Sequence, residues 1–148
     1  MTQVHQRDVV DVLLAQHSDI KALFNQVATA QGEQKRERFQ ELVRLLTIHE
    51  SAEEQVVHPA ARQALGDDGH RVVDTRLEEE REAMRALAEL DDLGVGHPGF
   101  DDRLAALAAD IFEHAAHEEA EEFTRLRATV GSEELQRMTA VFEAAENR

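Results

Sequence analysis

Apolar residues recur along this chain at spacings of three, four and seven, which is the period of one face of an α-helix. The first stretch shows the pattern at Val10, Leu13, Ile20, Phe24 and Val27. Later stretches repeat it at Leu42, Leu45, Leu46, Ala52 and Val56, at Val73, Leu77, Ala83, Met84 and Leu87, and at Leu104, Leu107 and Ile111. No stretch alternates as a half-buried strand does, so the pattern predicts an all-α chain.

Glycine and proline indicate where these helices begin and end, because both residues interrupt regular helix. Together with the apolar pattern they predict helices at about 7–30, 33–65, 68–92, 101–129 and 132–146. Asp101 and Ser132 are the expected N-caps of the last two. Pro59 falls inside the second range and should kink that helix or end its regular part.

The helices and their short connections predict one domain over residues 1–148. We expect an antiparallel up-down-up-down four-helix bundle over about 7–129, followed by a short additional C-terminal helix over about 132–146. The apolar stripe of this last helix, at Leu135, Met138 and Phe142 among others, predicts that it packs back across the bundle. A dimer contact is the alternative.

Composition narrows the classes of function. The 148 residues include 16 basic and 31 acidic residues, for a formal net charge of −15, so we expect neither nucleic acid nor an anionic membrane surface as a partner. The absence of cysteine excludes disulfides, thiolate metal sites and iron–sulfur clusters. No apolar run is long enough to span a bilayer or to form a secretory signal, which favours a cytoplasmic location. We expect a monomer or a homodimer.

Six ionisable residues interrupt the apolar stripes of the four long helices. They are His17, His49, Glu53, Glu80, His114 and Glu118. Each lies three, four or seven residues from apolar positions of its own helix and therefore faces the core. Each also lies near the middle of its helix, and the middles of antiparallel helices of similar length share one layer. The sequence thus predicts three imidazoles and three carboxylates at one level.

Such a layer needs a cation, because unpaired buried carboxylates are costly and repel one another. Imidazole and carboxylate suit iron, manganese or zinc, and six ligands fit two octahedral ions better than one tetrahedral zinc. Two ordinary alternatives stay open: a core histidine that is only hydrogen-bonded, and a His-x-x-x-Glu pair that is a simple i,i+4 ion pair. The coincidence of two such pairs with two further insertions favours the metal site.

The remaining histidines fit this layer less well. His58 is nine residues from His49, half a turn out of phase, and is predicted to be solvated. Three others fall at a terminus or in loops and should also be solvated: His5, His70 and His97. His117 could compete with Glu118 as a ligand, and Glu50 could contribute an oxygen or a hydrogen bond to a ligand.

Two segments resemble the signatures of the hemerythrin-type HHE cation-binding domains. The run from His49 through Glu53 to Pro59 is similar to the family's second-helix signature, and His114–Glu122 resembles its fourth-helix signature. His17 fits the lone histidine of the first helix. The resemblance covers about residues 8–127. It implies an antiparallel bundle with a non-heme di-iron centre of two iron ions, oxo- or hydroxo-bridged, with manganese or zinc less favoured.

One departure from the family affects the expected chemistry. Glu80 stands where many relatives carry a third-helix histidine, which makes the site more anionic and moves it toward the carboxylate-rich oxidising di-iron sites. We therefore expect binding or turnover of a small oxidant (peroxide, dioxygen or nitric oxide), with Glu53 and Glu118 bridging the ions and a catalase-like activity as the enzymatic form. The alternatives are a sensor or iron-buffering module without turnover, and a structural zinc or metal-free bundle.

Overall fold

The computed structural model describes residues 7–147, apart from the side chains of residues 68 and 69. Every regular element in this range is helical, which confirms the predicted all-α class. The α-helices are α1 (Val9–Thr29), α2 (Gly32–Ala52), α3 (His58–Ala64), α4 (Gly69–Leu93), α5 (Phe100–Glu118), α6 (Thr124–Thr129) and α7 (Ser132–Glu146). Among the connections are a first π-helical turn, Glu53–Val57, a second π-helical turn, Glu119–Phe123, and a 3-10 turn, Gly66–Asp68.

The second and fourth predicted helices are therefore composite. The range predicted at 33–65 contains α2, the first π-helical turn and α3 as one continuous helical segment. The range predicted at 101–129 contains α5, the second π-helical turn and α6. A π-helical turn accommodates one more residue than an α-helical turn. Each insertion changes which side chains beyond it face the core.

The first π-helical turn accounts for the behaviour of Pro59. In a regular α-helix the proline ring clashes with the carbonyl four residues earlier and removes one hydrogen bond. Just ahead of Pro59, the backbone N–H of His58 donates to the carbonyl of Glu53, five residues earlier. The regular part of the helix thus ends before Pro59, as predicted, while the chain continues as helix into α3.

The start of α1 is held by a reciprocal cap. The backbone N–H of Asp11 donates to the Asp8 carboxylate at 3.0 Å, and the N–H of Asp8 donates to the Asp11 carboxylate at 3.1 Å. Arg127 in α6 donates to both carboxylates, at 3.2 Å to Asp8 and 2.6 Å to Asp11. A cap of this kind contributes about 1 kcal/mol and here also ties α6 to α1.

The predicted N-caps of α5 and α7 are wrong by one or two residues. Gly99 is the N-cap of α5, and Asp101 lies inside the first turn, where it accepts from Lys35 at 2.6 Å. Gly131 is the N-cap of α7, and Ser132 is the first helical residue. Neither glycine can cap through a side chain. Acidic residues in the first turn stabilise both helix starts instead, because they complement the helix dipole.

The core consists of two apolar clusters. One contains Ile20, Phe24 and Val27 of α1 with Leu104, Leu107 and Ile111 of α5, together with residues of α2 and α4. The other contains Val9, Val10, Val12 and Leu13 of α1 with Ala52, Val57, Phe123, Leu126, Leu135, Met138 and Phe142. Along α1 the residues between the clusters include His17, and along α5 they include His114 and Glu118. A polar layer thus separates the two clusters.

The C-terminal helix closes the second cluster. Leu135, Met138 and Phe142 of α7 are buried there, and α7 packs against α1, α2 and the first π-helical turn. The structure therefore has this helix packed back onto its own chain. Val141 faces outward and is the large apolar side chain left most exposed among the described residues.

The outer faces of the long helices are charged. Arg38 pairs with Glu41 at 3.1 Å and Arg81 pairs with Glu78 at 3.3 Å, both on the surface. Exposed pairs of this kind contribute little to stability but keep these faces solvated. In the part of the chain that the structure describes, none of the helices combines the length and the apolarity needed to cross a bilayer.

Candidate metal centre

The six predicted site residues lie together in the polar layer between the two apolar clusters. All six are at most 5% exposed: His17 on α1, His49 at the end of α2, Glu53 at the start of the first π-helical turn, Glu80 on α4, and His114 and Glu118 on α5. Their role as metal ligands stays a prediction. Their convergence follows from the position of each residue on the inward face of its helix.

One side of the layer is formed by His17, His49 and Glu53. The Nε2 atom of His17 lies 3.5 Å from a Glu53 oxygen and 3.6 Å from a Glu118 oxygen. The Nε2 atom of His49 contacts the same Glu53 oxygen. The ligand atoms of these three residues lie within 4.8 Å of one another. We refer to this group as the first metal position.

The other side of the layer is richer in carboxylates. Nε2 of His114 lies 3.3 Å from a Glu118 oxygen, 3.4 Å from a Glu80 oxygen and 3.8 Å from a Glu50 oxygen. Two overlapping groups of ligand atoms within 4.8 Å occur here: Glu50, Glu53, Glu80 and His114, and Glu53, His58, Glu80 and Glu118. We refer to the place that these two groups surround as the second metal position. Glu53 belongs to both positions.

The prediction that His58 is solvated is wrong. This side chain is 1% exposed, and its Nε2 lies 2.7 Å from a Glu80 oxygen. The prediction assumed an uninterrupted α-helix after His49, whereas the first π-helical turn absorbs one residue and brings His58 round to the core face. The adjacent Pro59 was a signal in the sequence that the α-helical period would be interrupted at this point.

Sequence reasoning also missed the buried Glu122, which lies in the second π-helical turn. Its carboxylate is 2.9 Å from Nδ1 of His58. Glu122 follows Glu118 by four residues, so its spacing could have placed it on the same inward stripe. His58 thus contacts Glu122 through Nδ1 and Glu80 through Nε2.

Three of the histidines have their Nδ1 atoms held from outside the layer. His49 Nδ1 lies 2.6 Å from the side-chain oxygen of Gln16, and His114 Nδ1 lies 3.0 Å from Glu79. Glu122 holds His58 in the same way. An acceptor at Nδ1 fixes the ring so that Nε2 faces inward as a possible ligand atom, which is the usual arrangement around metal-binding histidines.

The other residues considered in the sequence differ in how deeply they are buried. Glu50 is buried and joins the second metal position, so it can contribute an oxygen. His117 is 38% exposed and faces Glu79 and Glu113, at 3.4 Å and 3.9 Å. Two histidines are exposed as predicted, His70 and His97, and His5 lies outside the described residues.

The carboxylates of the layer do not ionise alike. Burial raises the pKa of Glu118 well above its ordinary value of 4.5, and repulsion from the Glu53 carboxylate raises it further. The same causes raise the pKa of Glu50. Burial acts in this direction on Glu53 too, but the imidazole of His49 and the close contacts with Glu118 and His17 together outweigh it and hold the pKa of Glu53 well below 4.5. All these carboxylates can ionise together only if a cation supplies positive charge.

Protein prepared without metal should lose stability as the pH rises from about 4.5 to about 10. Above pH 4.5 the folded chain keeps protons on Glu50 and Glu118 that the unfolded chain has released, so stability falls with pH. The contacts of His58 with Glu122 and Glu80 outweigh its burial and raise its pKa from 6.5 to about 10. The stability that the protonated His58 contributes is therefore lost as the pH rises from about 6.5 to about 10. Each retained proton lowers stability by about 1.4 kcal/mol per pH unit between the two pKa values.

Urea unfolding of the metal-free protein at about pH 5, 7 and 9 measures this slope. The matched variant is Glu118→Gln, which resembles the protonated side chain and should give a shallower slope. Glu113→Gln, which removes a neighbouring exposed carboxylate, should leave the slope unchanged. Equal stability of the metal-free wild type at all three pH values would contradict the prediction.

The buried atoms of the layer fit a metal. Both carboxylate oxygens of Glu53 and of Glu118 lack a hydrogen-bond partner among the described residues, as do Nε2 of His49 and of His114. Buried polar atoms are seldom left in this state, because each costs about 1 to 3 kcal/mol. They are nitrogen and oxygen atoms of the kinds that iron, manganese and zinc bind. A pair of cations in the layer would satisfy them.

A small cavity adjoins the layer on the side of α1 and α5. Its volume is about 10 Å³, which is room for roughly one water molecule. Its walls include His17, His49, His114 and Glu118 on the polar side, and Ile20, Ile111 and Phe112 on the apolar side. A molecule of about the size of water could therefore lie beside the ligand atoms, whereas a larger one would need the surrounding side chains to move apart.

Comparisons with known proteins found a family model and a solved structure that are similar to this chain. The family model described as the hemerythrin HHE cation binding domain matches residues 8–126. A hemerythrin HHE cation binding domain-containing protein from Mycobacterium kansasii has a similar crystal structure, with a TM-score of 0.83 and 22% identity over 96% of this chain and 86% of that one. At this identity the likeness shows the fold.

A relative of this chain has a name that refers to DNA and not to cation binding. The protein called DNA nickase from Nostoc sp. (strain PCC 7120 / SAG 25.82 / UTEX 2576) is 29% identical over 142 residues, which cover 95% of this chain. The chain spans only 40% of the length of that relative. The family model, by contrast, matches most of this chain, including all six predicted site residues. The chain therefore belongs to the hemerythrin HHE cation-binding domain family.

Proposed function

We propose that this protein holds two iron ions in the layer between its apolar clusters and uses them to bind and turn over a small oxidant, peroxide or dioxygen. The four long helical segments would form the antiparallel up-down-up-down bundle expected from the sequence, with α7 as the added helix. The observation that carries the proposal is the clustering of buried imidazole and carboxylate ligand atoms in three overlapping groups within 4.8 Å.

The ligand set supports two ions rather than one. The first metal position offers two imidazoles and the carboxylate of Glu53, and the second offers His114 with the carboxylates of Glu50, Glu80 and Glu118. A single tetrahedral zinc would leave several of these buried carboxylates unpaired. A carboxylate-rich site with some imidazole suits iron or manganese, and bound iron would supply a one-electron redox change and an open position for the oxidant.

The side chains themselves would have three tasks. Glu53 faces both positions and would hold the pair together, with Glu118 on the opposite helix. Gln16 and Glu79 would keep the His49 and His114 rings turned inward. The apolar wall of the small cavity, with Phe112 beneath the ammonium group of Lys21 at 5.7 Å, would keep bulk water and large molecules from the layer.

DNA nicking, which the name of the Nostoc relative describes, does not fit this chain. A net charge of −15 opposes contact with a phosphate backbone, which DNA-cleaving proteins neutralise with lysine and arginine. The ligand layer is also buried, so a phosphodiester could not reach it without separation of the helices. The partners that fit are peroxide, dioxygen or nitric oxide.

Metal content per chain and the response to hydrogen peroxide test this function directly. We expect about two irons per chain in purified protein, since two octahedral ions fit the ligand set. We also expect a visible absorption spectrum that changes on peroxide addition, with release of dioxygen. The zinc-loaded protein is the matched control, because zinc fills nitrogen and oxygen sites but has no redox change.

Each outcome has a distinct meaning. Iron with dioxygen release from peroxide supports turnover, and the zinc form should release none. Iron without any release would overturn turnover and favour a sensor or iron buffer. Purified protein that contains only zinc or no metal, and that takes up no ferrous iron anaerobically, would overturn the proposal.

A further inference from the structure

We propose that His58 is a metal ligand of the second metal position, binding through Nε2 while Glu122 accepts a hydrogen bond from its Nδ1. This inference rests on the proposed function, since it requires that the layer hold metal. It adds to the six residues expected from the sequence a histidine that reaches the layer only because of the first π-helical turn.

The ring of His58 has the same arrangement as the predicted ligands His49 and His114. In all three, Nδ1 meets a side-chain oxygen outside the layer: Gln16 at 2.6 Å, Glu79 at 3.0 Å and Glu122 at 2.9 Å. In all three, Nε2 faces carboxylate oxygens inside the layer. The carboxylate of Glu122 would fix the tautomer with the proton on Nδ1 and leave the Nε2 lone pair free for a metal.

The surroundings of Nε2 favour a cation over a single hydrogen bond. Nε2 of His58 lies 2.7 Å from Glu80, 3.7 Å from Glu53 and 4.0 Å from Glu118. One N–H can satisfy one of these buried carboxylates, and oxygens of Glu53 and Glu118 are left without hydrogen-bond partners. A metal ion at the second position would contact all four groups at once.

Metal binding by His58 would also compensate for Glu80, which stands where many relatives carry a histidine. With glutamate at position 80, the second metal position would have His114 as its imidazole ligand and several anionic ones. Addition of His58 gives each position two imidazoles: His17 and His49 in the first, and His58 and His114 in the second. The competing interpretation is a structural role in which a doubly protonated ring bridges Glu80 and Glu122.

Cobalt(II) titration distinguishes the ligand from the structural bridge. His58→Asn can keep the hydrogen bond to Glu122 but cannot reach the position of Nε2. We expect this variant to bind the first cobalt normally and to bind the second at least about a hundredfold more weakly, because loss of an outer partner alone costs about 10- to 100-fold. Glu122→Gln, which keeps an acceptor, should weaken the second cobalt by no more than about tenfold.

Proton NMR of the cobalt-loaded wild type gives a readout that a structural role would not produce. A histidine bound through Nε2 shows an exchangeable Nδ1–H resonance shifted far outside the diamagnetic range by the cobalt. We expect one such resonance for His58 beyond those of the other ligand histidines, with loss of that resonance alone in His58→Asn. His70→Asn, which replaces an exposed histidine, is the control and should change neither the affinity nor the spectrum.

The two proposals fail in different ways. Wild type that binds no cobalt overturns the metal layer and His58 as a ligand with it. Wild type that binds two cobalt ions with no shifted resonance from His58 overturns the ligand alone, and this outcome does not depend on any variant folding. Unchanged affinity for the second cobalt in a folded His58→Asn variant has the same meaning.

Discussion

Replacement of Glu53 by glutamine is expected to remove nearly all bound metal. Glu53 belongs to each of the three groups of ligand atoms, so its loss affects both metal positions at once. Glutamine keeps the size of the side chain but removes the negative charge. Loss of an outer hydrogen-bond partner alone lowers metal affinity by about 10- to 100-fold, so loss of a shared ligand should exceed that range. Metal analysis and isothermal titration with iron or cobalt measure the effect.

Two further variants show whether charge or placement causes this loss. Glu53→Asp keeps the charge but draws the carboxylate back by one methylene group, so metal content should recover only in part. Glu41→Gln removes a carboxylate from the surface of the same continuous helical segment, where Glu41 pairs with Arg38, and should bind metal as the wild type does. Metal content equal to wild type in a folded Glu53→Gln protein would contradict the role of this residue.

The level of the polar layer could be predicted because it depends on two simple regularities. Inward positions of an α-helix recur every three or four residues, and residues near the middle of antiparallel helices share a level. His17, Glu80 and His114 each follow these rules without interruption, and the structure brings all three into the layer.

The rest of the site could not be predicted because the helical period changes within it. The prediction for His58 extended the α-helical period of α2 through nine residues, but the first π-helical turn begins at Glu53. Pro59 signals an interruption without giving its form, since a kink, a helix end and a π-helical turn all relieve the proline clash. The outer acceptors Gln16 and Glu79 lie on other helices, so only the packed structure shows which ring each one meets.

The π-helical turns occupy equivalent places in the two His-x-x-x-Glu segments. One starts at Glu53, four residues after His49, and the other starts directly after Glu118, four residues after His114. In each segment the extra residue alters the register just beyond the glutamate. The first of these shifts brings Nδ1 of His58 to 2.9 Å from the carboxylate of Glu122. π-Helical turns within α-helices often occur at functional sites, which agrees with their position here.

Removal of metal with a chelator is expected to lower the melting temperature strongly at about pH 8. A ligand that binds only the folded state stabilises it by about 2.7 kcal/mol when its free concentration is a hundred times its Kd. For a chain of this size that corresponds to a fall in Tm of roughly 5 to 11 °C on metal removal. The structure gives the reason: without a cation, Glu118 and Glu50 are buried beside the charged Glu53.

Glu118→Gln separates stabilisation by bound metal from nonspecific effects of the chelator, because its effect should reverse sign. In metal-free protein at about pH 8, the neutral amide removes the cost of keeping Glu118 protonated beside Glu53 and should raise Tm above that of metal-free wild type. In metal-loaded protein the same change removes a ligand and should lower Tm below that of wild type. Differential scanning calorimetry of both proteins with and without metal measures all four values. If Glu118→Gln changes Tm in the same direction in both states, Glu118 is not a residue that destabilises the metal-free protein and binds metal in the loaded one. If the Tm of the wild type is unchanged after complete metal removal, the layer is stable without a cation.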